Sequence, residues 1–397
     1  MKLHLKILIL TVLLGFFQKS YADTFIVTSN ADSGPGTLRE AITLANANGT
    51  AVTDYVNFNI ADVSVTGRTI TLHSSLILSS NLIIDGSTQA GVKFGVTDSK
   101  VKIMHGGEIT LYQAMILSNV DNVEIYGLYF TGFFNKNPSA PVEIACAIYT
   151  PDIVNNLKIG APGKGNVFYD NTIGIANRYS YSFLIGDMMS DIEIKSNFFN
   201  LNEDGVTVSF SGVYAIEIKL FKNLTIGGNT EAEGNFFAGY VDEIVHLIAN
   251  NTPGNGFLNI LHNSFGSDFS KTIPVKCGGV YIAGLSETGV RLPSDIAVTI
   301  SKNTFNNPLI TFTNSCHGML DIYNISGFIT ITGNAIGNLS NFQSCQTFGI
   351  GISYCENGII GGNNPDDYNS IGLNYINGIS LHNNKNITIQ KNSIYCN

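Results

Sequence analysis

One eight-residue phrase, apolar-x-Ile-x-x-Asn-x-Phe/Ile, recurs between residues 123 and 394. Five copies are uninterrupted, and three carry an insertion before the Asn. A degenerate copy, Val123 to Phe130, has Leu128 in place of the Asn. The eight Asn positions are 166, 197, 235, 263, 303, 334, 369 and 392, so successive copies lie 31, 38, 28, 40, 31, 35 and 23 residues apart.

The phrase has the form of a strand, a bend and a second strand. Alternating apolar residues place the aliphatic side chains on one face of a short strand. Asn favours a bend because it tolerates left-handed backbone angles and its amide can bond its own backbone. Such a unit cannot bury its apolar face alone and has to stack on copies of itself. We therefore predict an all-β solenoid, a parallel β-helix of about nine to eleven coils with an Asn amide ladder along its axis.

Composition agrees with a solenoid and restricts the partners. Charged residues make up 13% of the chain, about half the usual share, whereas Asn occurs 45 times and Gly 41 times. Without residues 1–22 the chain has 18 basic against 30 acidic residues, a net charge of −12. This balance excludes nucleic acid as a partner, since phosphate binding needs a basic surface. It also disfavours a tight site for polyanionic sugars.

The N-terminus divides into two predicted segments before the solenoid. Lys2 and Lys6 precede an apolar run up to Phe17, followed by small residues at a cleavage position, so residues 1–22 resemble a signal peptide. A retained anchor is the alternative, although the run is short for a bilayer span. No later segment is apolar enough to span a membrane. We expect an N-terminal cap at residues 23–51 and the β-helix at 52–397, apparently ending without a C-terminal cap.

A short amphipathic helix is expected within the cap. Thr37 and Glu40 have the spacing of a capping box at a helix start. The residues Leu38, Ala41, Ile42 and Ala45 share one face of that helix. Such a helix is suited to cover the open first coil of a solenoid.

Two short phrases resemble a known family. The segment from Asn30 to Ile42 resembles the N-terminal signature of CSLREA-type right-handed parallel β-helix proteins secreted by bacteria. The segment from Ile84 to Gly91 is similar to a second phrase of that family, and the Ile-Gly-Gly repeats at Ile226 and Ile360 resemble its inner repeats. The resemblance implies a right-handed β-helix, export and often display at the cell surface. It implies no single activity and no catalytic set.

Candidate catalytic residues lie in two places. The segment Cys316-His317-Gly318 is similar to a Gly-His-Gly of pectin-hydrolysing β-helices, with Asp321 as the nearest carboxylate. Such an enzyme needs paired carboxylates, which do not precede His317, so a structural or surface histidine is the alternative.

The second place is a pair of Glu-Ile-Lys motifs, Glu193/Lys195 and Glu217/Lys219. All four charges are expected to face solvent, where they match the base and Ca²⁺-binding carboxylates of a polysaccharide lyase. Simple solvated charges are the alternative. The repeat alignment places Ile192 opposite Leu224, so the two motifs are expected to lie on different sheets.

Two further features suggest binding. The segment from Asn200 to Gly205 has the acidic, glycine-ended form of a calcium loop, with Asn202 and Asp204 as the candidate ligands. A turn between coils is the alternative, and no other cofactor is indicated. Tyr126 and Tyr129 are candidates for sugar stacking, whereas Phe130 is expected in the core.

These observations favour an exported, non-enzymatic scaffold of a bacterium, secreted or held at the cell surface. We expect it to act in adhesion or to contact carbohydrate, with a polysaccharide or another cell-surface component as partner. The loops 161–165, 229–234 and 363–368 are expected to present polar contacts. The alternative is a polysaccharide lyase, hydrolase or epimerase that acts in a groove along one sheet.

Overall fold

The computed structural model describes residues 22–108, 112–134, 145–177, 189–210, 212–239, 243–249, 256–275, 277–284, 293–306, 318–337, 348–374 and 377–397. In these ranges the chain is all-β apart from one α-helix, α1 (Leu38–Asn48), and three short 3₁₀ turns (Gly86–Thr88, Glu231–Glu233 and Pro365–Asp367). The predicted signal peptide, residues 1–22, lies outside the described residues except for Ala22.

The strands form three parallel ladders that run the length of the molecule. We call these ladders A, B and C, and their strands are given below. Each coil of the chain passes through ladder A, then ladder C, then ladder B, and returns to ladder A one rung further on. Ladders A and B are joined through the pairing of Met189 with Phe221, and together they form a 22-stranded sheet, whereas ladder C is an 11-stranded sheet. With the right-handed crossovers that parallel strands adopt, this arrangement is a right-handed parallel β-helix.

The strands of ladder A are β1 (Thr24–Val27), β2 (Asp54–Phe58), β5 (Leu82–Asp85), β8 (Val120–Tyr126), β11 (Val154–Ile159), β14 (Met189–Ile194), β17 (Asn223–Gly227), β20 (Phe257–Leu261), β23 (Ala297–Ser301), β26 (Phe328–Thr332), β29 (Asn357–Gly361) and β32 (Ile387–Gln390). Those of ladder B are β4 (Leu76–Leu78), β7 (Gln113–Leu117), β10 (Cys146–Thr150), β13 (Ile173–Asn177), β16 (Tyr214–Phe221), β19 (Glu243–Ala249), β22 (Gly279–Gly284), β25 (Leu320–Tyr323), β28 (Phe348–Ser353) and β31 (Asn377–His382). Those of ladder C are β3 (Thr69–Leu72), β6 (Val101–His105), β9 (Leu128–Thr131), β12 (Val167–Tyr169), β15 (Phe198–Phe199), β18 (Phe236–Phe237), β21 (Ser264–Phe265), β24 (Thr304–Phe305), β27 (Ala335–Ile336), β30 (Ser370–Gly372) and β33 (Ser393–Tyr395).

A column of Asn amides marks the bend between ladders A and C. Each Nδ2 donates to the Oδ1 of the Asn one coil further on, at 2.8–3.0 Å from Asn166 through to Asn392. Each Nδ2 also donates to an isoleucine carbonyl of the preceding coil, such as that of Ile260 for Asn303 at 2.7 Å. The column thus satisfies its own buried polar groups, as burial requires. The predicted amide ladder is confirmed.

The Phe position of the repeat fills the core behind this column. The rings of Phe130, Phe168, Phe199, Phe237, Phe265 and Phe305 stack with centroids 4.6–5.2 Å apart and interplanar angles of 2–10°. One copy of the repeat has a glycine at an inward position. In β29 the residues that face the core are Gly358 and Ile360, because they pair with Ile329 and Ile331, and Ile359 points outward.

Helix α1 packs against the first coils. Its buried residues are Leu38, Ala41, Ile42 and Ala45, which is the predicted face. Thr37 caps the helix by accepting a hydrogen bond from the backbone N–H of Glu40. Strand β1, which the sequence placed in the cap, already pairs with β2 and so begins ladder A. Within the described ranges, no helix is both long enough and apolar enough to span a bilayer.

Candidate functional site

The two residues predicted as a hydrolase pair cannot be compared directly. His317 lies outside the described residues. Asp321 lies on β25 of ladder B, between Leu320 and Ile322, which are buried in the core. Its side chain therefore points to the outside of the β-helix.

The Glu193 and Lys195 motif lies on the outer face of ladder A, within a network of ion pairs. The Lys195 ammonium is 3.1 Å from a carboxylate oxygen of Glu193 and 3.3 Å from one of Glu233. Lys158, which pairs with Glu193 in register, is 2.8 Å from Glu124 on the next rung. Positive and negative side chains thus neutralise each other along this face, an arrangement typical of cross-strand pairing.

The second motif differs from its expected exposure. Glu217 and Lys219 lie on β16 of ladder B, so the two motifs are on different ladders, although both ladders belong to the 22-stranded sheet and the motifs are not on separate sheets. The expectation that all four charges face solvent is wrong for Glu217, whose exposed fraction is 3%. Glu217 thus points away from the core and is nevertheless buried.

The candidate calcium ligands hold a turn. Asp204 accepts hydrogen bonds from the backbone N–H groups of Val206 and Thr207 at 2.8 and 2.7 Å, and from the Thr207 hydroxyl. The Oδ1 of Asn202 accepts from the Tyr129 hydroxyl at 2.7 Å. Among the described residues, no three His, Cys, Asp or Glu side chains are grouped to hold a metal ion. Calcium binding here stays a prediction.

The two tyrosines predicted to stack on sugars are buried. The exposed fraction is 8% for Tyr126 and 2% for Tyr129, so the prediction of an exposed platform is wrong. The Tyr129 hydroxyl donates to Asn202, which lies in the loop after β15, whereas the Tyr126 hydroxyl donates to Glu124 of its own strand at 2.9 Å. Burial raises the pKa of both phenols well above its usual value. Phe130 is in the core, as predicted.

The outer face of ladder B carries a row of ionisable and aromatic groups that the sequence analysis missed. The register places Glu217 opposite His246, His246 opposite Tyr281, and Tyr281 opposite Asp321. The row thus occupies four successive rungs. The His246 ring also lies 5.3 Å from that of Tyr214 and 5.2 Å from that of Tyr281.

Two of these groups, Glu217 and His246, form together with Lys219 and Glu243 what we call the Glu217 cluster. The Lys219 ammonium is 2.7 Å from Oε1 of Glu217, and the His246 Nδ1 contacts a carboxylate oxygen of Glu243. The other oxygen of Glu217, Oε2, is buried and has no hydrogen-bond partner among the described residues. A buried carboxylate oxygen without a partner is costly and therefore rare outside functional sites. Burial raises the pKa of the nearby Cys146 thiol, and the charge of Glu217 adds to that effect.

The backbone beside the cluster is irregular. The register between β16 and β19 shifts around Leu220, which has a φ of +57°. A second shift, around Ile244, lies between β19 and β22. Bulges and left-handed non-glycine residues are enriched near functional sites, where they redirect side chains.

One sequence signal would have located this row. The strands of ladder B share an apolar-x-apolar triplet, seen at Ile216-Glu217-Ile218 and Val245-His246-Leu247, and again at Val280-Tyr281-Ile282 and Leu320-Asp321-Ile322. Aligned on the triplet, the central residues form the row. Because these triplets have no Asn to mark a bend, they do not stand out as a repeat.

Comparison with known proteins adds little. No protein-family profile matches the chain, and no curated protein is similar in sequence. The CSLREA-type assignment therefore rests on short phrases alone. Similar solved structures include Jun a 1, the major allergen from cedar pollen, at 13% identity over 92% of this chain and 78% of that one, with a TM-score of 0.39. The surface protein and adhesin PfbA of Streptococcus pneumoniae has 12% identity over 91% and 95%, with a TM-score of 0.37. Endo-xylogalacturonan hydrolase from Aspergillus tubingensis has 13% identity over 94% and 95%, with a TM-score of 0.36. At this level of similarity none of them informs the function.

Proposed function

We propose that the protein is an exported or surface-held β-helix that binds a polysaccharide along the outer face of ladder B. The observation that carries the proposal is the row on ladder B, in which His246, Tyr281 and Asp321 present one polar side chain on each of three successive rungs, next to the buried Glu217. Rungs of a parallel ladder are about 4.8 Å apart, so these three side chains extend over roughly 10 Å, the length of about two sugar units.

The chemistry of the row suits the hydroxyl groups of a glycan. Carboxylates accept hydrogen bonds, and tyrosine hydroxyls and imidazole both donate and accept. Three carboxylates, Glu217, Glu243 and Asp321, stand against Lys219 and His246. This excess of acidic groups, like the net charge of the chain, favours a neutral glycan over a polyuronate.

The test is retention on insoluble or immobilised neutral polysaccharides. We expect the wild-type protein to be retained and Tyr281→Ala to lose retention. Thr299→Ala, on the outer face of ladder A, is the matched control and should bind as the wild type does. The proposal fails if no polysaccharide of the panel retains the protein, or if Tyr281→Ala binds as well as the control.

Acid–base cleavage of the bound glycan is a second candidate function, favoured by the Glu217 cluster. Glycosidic chemistry needs one group to protonate the leaving oxygen and a carboxylate to activate water or to attack. Glu217 and Glu243, with His246 beside them, supply these residue types. We expect Glu217→Gln to abolish release of new reducing ends while polysaccharide retention persists. If the wild-type protein binds glycan but releases no reducing ends or unsaturated products, cleavage is rejected and binding stands.

A further inference from the structure

A separate cleft opens on the outer face of ladder C. It has a volume of about 350 Å³, at the lower end of the roughly 300–1,000 Å³ typical of small-molecule sites. Strands β15 and β18 form its floor, and three segments form its walls: the loop before β6, the 3₁₀ turn Glu231–Glu233 and the loop after β21. The lining residues that bear on ligand binding are Asp98, Phe198, Glu231, Phe236, Phe269 and Lys271.

Three phenylalanine rings form the apolar side of the cleft. Phe198 and Phe236 stack on adjacent rungs with their centroids 5.1 Å apart. The Phe269 centroid lies 5.7 Å from that of Phe198 and 5.3 Å from that of Phe236. Phe198 is buried, whereas Phe269 is 42% exposed, so one large aromatic surface is open to a ligand.

The loop that carries Phe269 is held by its own hydrogen bonds. Asp268 accepts from the backbone N–H groups of Thr272 and Ile273, both at 2.8 Å. The backbone N–H of Phe269 donates to the carbonyl of Gly205 in the neighbouring loop at 2.9 Å. The exposed ring is thus positioned before any ligand binds, which lowers the entropic cost of binding.

The charges at the polar rim balance when Lys93, which pairs with Asp98 next to the cleft, is counted: Asp98 and Glu231 stand against Lys93 and Lys271. The Lys271 ammonium lies 3.7 Å from a carboxylate oxygen of Glu231, whose side chain is 82% exposed. Such an exposed pair is weak and can exchange its contacts for ligand hydroxyls. Asp98 pairs with Lys93 and accepts from the backbone N–H of Gly165 at 3.3 Å. A charged ligand would gain little from this balanced rim, whereas a neutral polyol finds acceptors in Asp98 and Glu231 and a donor in Lys271.

We propose that this cleft binds a single pyranose ring of a neutral carbohydrate. The C–H face of the sugar packs against Phe269 and Phe236, because the electron-rich face of an aromatic ring attracts weakly positive hydrogen atoms. The sugar hydroxyls contact Asp98, Glu231 and Lys271. This site is independent of the row on ladder B and would act as a second carbohydrate contact on another face of the β-helix.

The test uses saturation-transfer NMR on the full-length protein with the methyl glycosides of glucose, galactose and mannose as probes. We expect transfer from aromatic protons to the ring protons of at least one probe. Phe269→Ala should weaken that binding about tenfold, as expected for loss of one aromatic contact. Phe328→Ala, an exposed phenylalanine on ladder A, is the matched control and should leave binding unchanged.

Two further variants keep the result interpretable. Phe269→Leu retains an apolar side chain and should support the loop, but it should still weaken sugar binding because the aromatic ring is lost. Asp98→Asn should weaken sugar binding because a hydrogen-bond acceptor is lost. The proposal is overturned if none of the three glycosides receives transfer, or if Phe269→Ala and Phe328→Ala bind alike. Tetramethylammonium serves as a cationic probe in the same experiment. The proposal is also overturned if the binding of this cation, and not that of a glycoside, is lost in Phe269→Ala. Polysaccharide retention through Tyr281 should survive Phe269→Ala, so the two sites fail separately.

Discussion

Replacing Asn303 by Ala tests the physical basis of the β-helix. Asn303 lies in the middle of the amide column with an exposed fraction of 1%. Its Oδ1 accepts from the backbone N–H of Asn263 at 2.9 Å and from the Nδ2 of Asn263 at 3.0 Å. Its Nδ2 donates to the carbonyl of Ile260 at 2.7 Å and to the Oδ1 of Asn334 at 3.0 Å.

The expected cost follows from the groups that lose a partner. Asn263 Nδ2 keeps the carbonyl of Ile226, and Asn334 Oδ1 keeps the backbone N–H of Asn303. The backbone N–H of Asn263 and the carbonyl of Ile260 lose their bonds to the removed amide. Since a buried group left unsatisfied costs about 1–3 kcal/mol, we expect Asn303→Ala to lower the free energy of unfolding by about 2–5 kcal/mol.

Urea unfolding followed by circular dichroism provides the measurement. Asn259→Ala, on the outer face of ladder A, is the matched control and should stay within about 0.5 kcal/mol of the wild type. Asn392→Ala should fall between the two, because that amide is partly exposed and water can replace its partners. If Asn303→Ala unfolds within about 1 kcal/mol of the Asn259→Ala control, the amide column does not stabilise the stack.

Three further predictions concern the core, a bend and acid stability. Phe265→Ala should destabilise by about 3–5 kcal/mol in the same urea assay, because it interrupts the ring stack, whereas exposed Phe328→Ala should be near neutral. Gly227→Ala should destabilise the protein far more than Gly49→Ala in thermal unfolding. Both glycines have positive φ, but a Cβ on Gly227 would lie 1.9 Å from the Leu261 carbonyl oxygen, whereas a Cβ on Gly49 would have no atom within 4 Å. Burial alone would raise the pKa of Asp204. The hydrogen bonds from the Thr207 hydroxyl and from the Val206 and Thr207 amides lower this pKa by more than burial raises it, so the folded pKa lies below the unfolded value of about 3.9. The stabilisation that the Asp204 carboxylate gives is therefore present above that pH and lost as the pH falls through the folded pKa. In acid unfolding, the free energy of unfolding of Asp204→Asn should depend less steeply on pH than that of the wild type. Equal pH dependence of the two proteins would contradict this assignment.

The fold could be predicted because its two strongest signals are local. The Ile-x-Ile pattern and the following Asn define one strand and one bend, and equivalent bends stack because Asn amides bond each other. The same signals locate the Phe column. The pattern is weaker in β29, because Gly358, which has no side chain to indicate its direction, occupies an inward position.

The candidate site could not be predicted in the same way. The outward position of Glu217 on β16 predicts exposure, and nothing in the motif itself indicates that this side chain is buried. The burial of Tyr129 could not be predicted either, because its hydroxyl donates to Asn202, which lies in a loop 73 residues later in the chain. Alternation indicates which side of a strand a residue occupies, but it does not indicate whether a loop covers that side.

The amide column also determines where this protein can change its length. Successive bends are separated by as few as 23 and as many as 40 residues, yet every bend residue returns to the same line. The loops within these segments are therefore free to lengthen or shorten without displacing the strands above and below. Foreign peptides inserted at 229–234 or 363–368 should project from the β-helix at fixed positions along its axis. The chain is therefore a scaffold that can display binding loops at defined intervals.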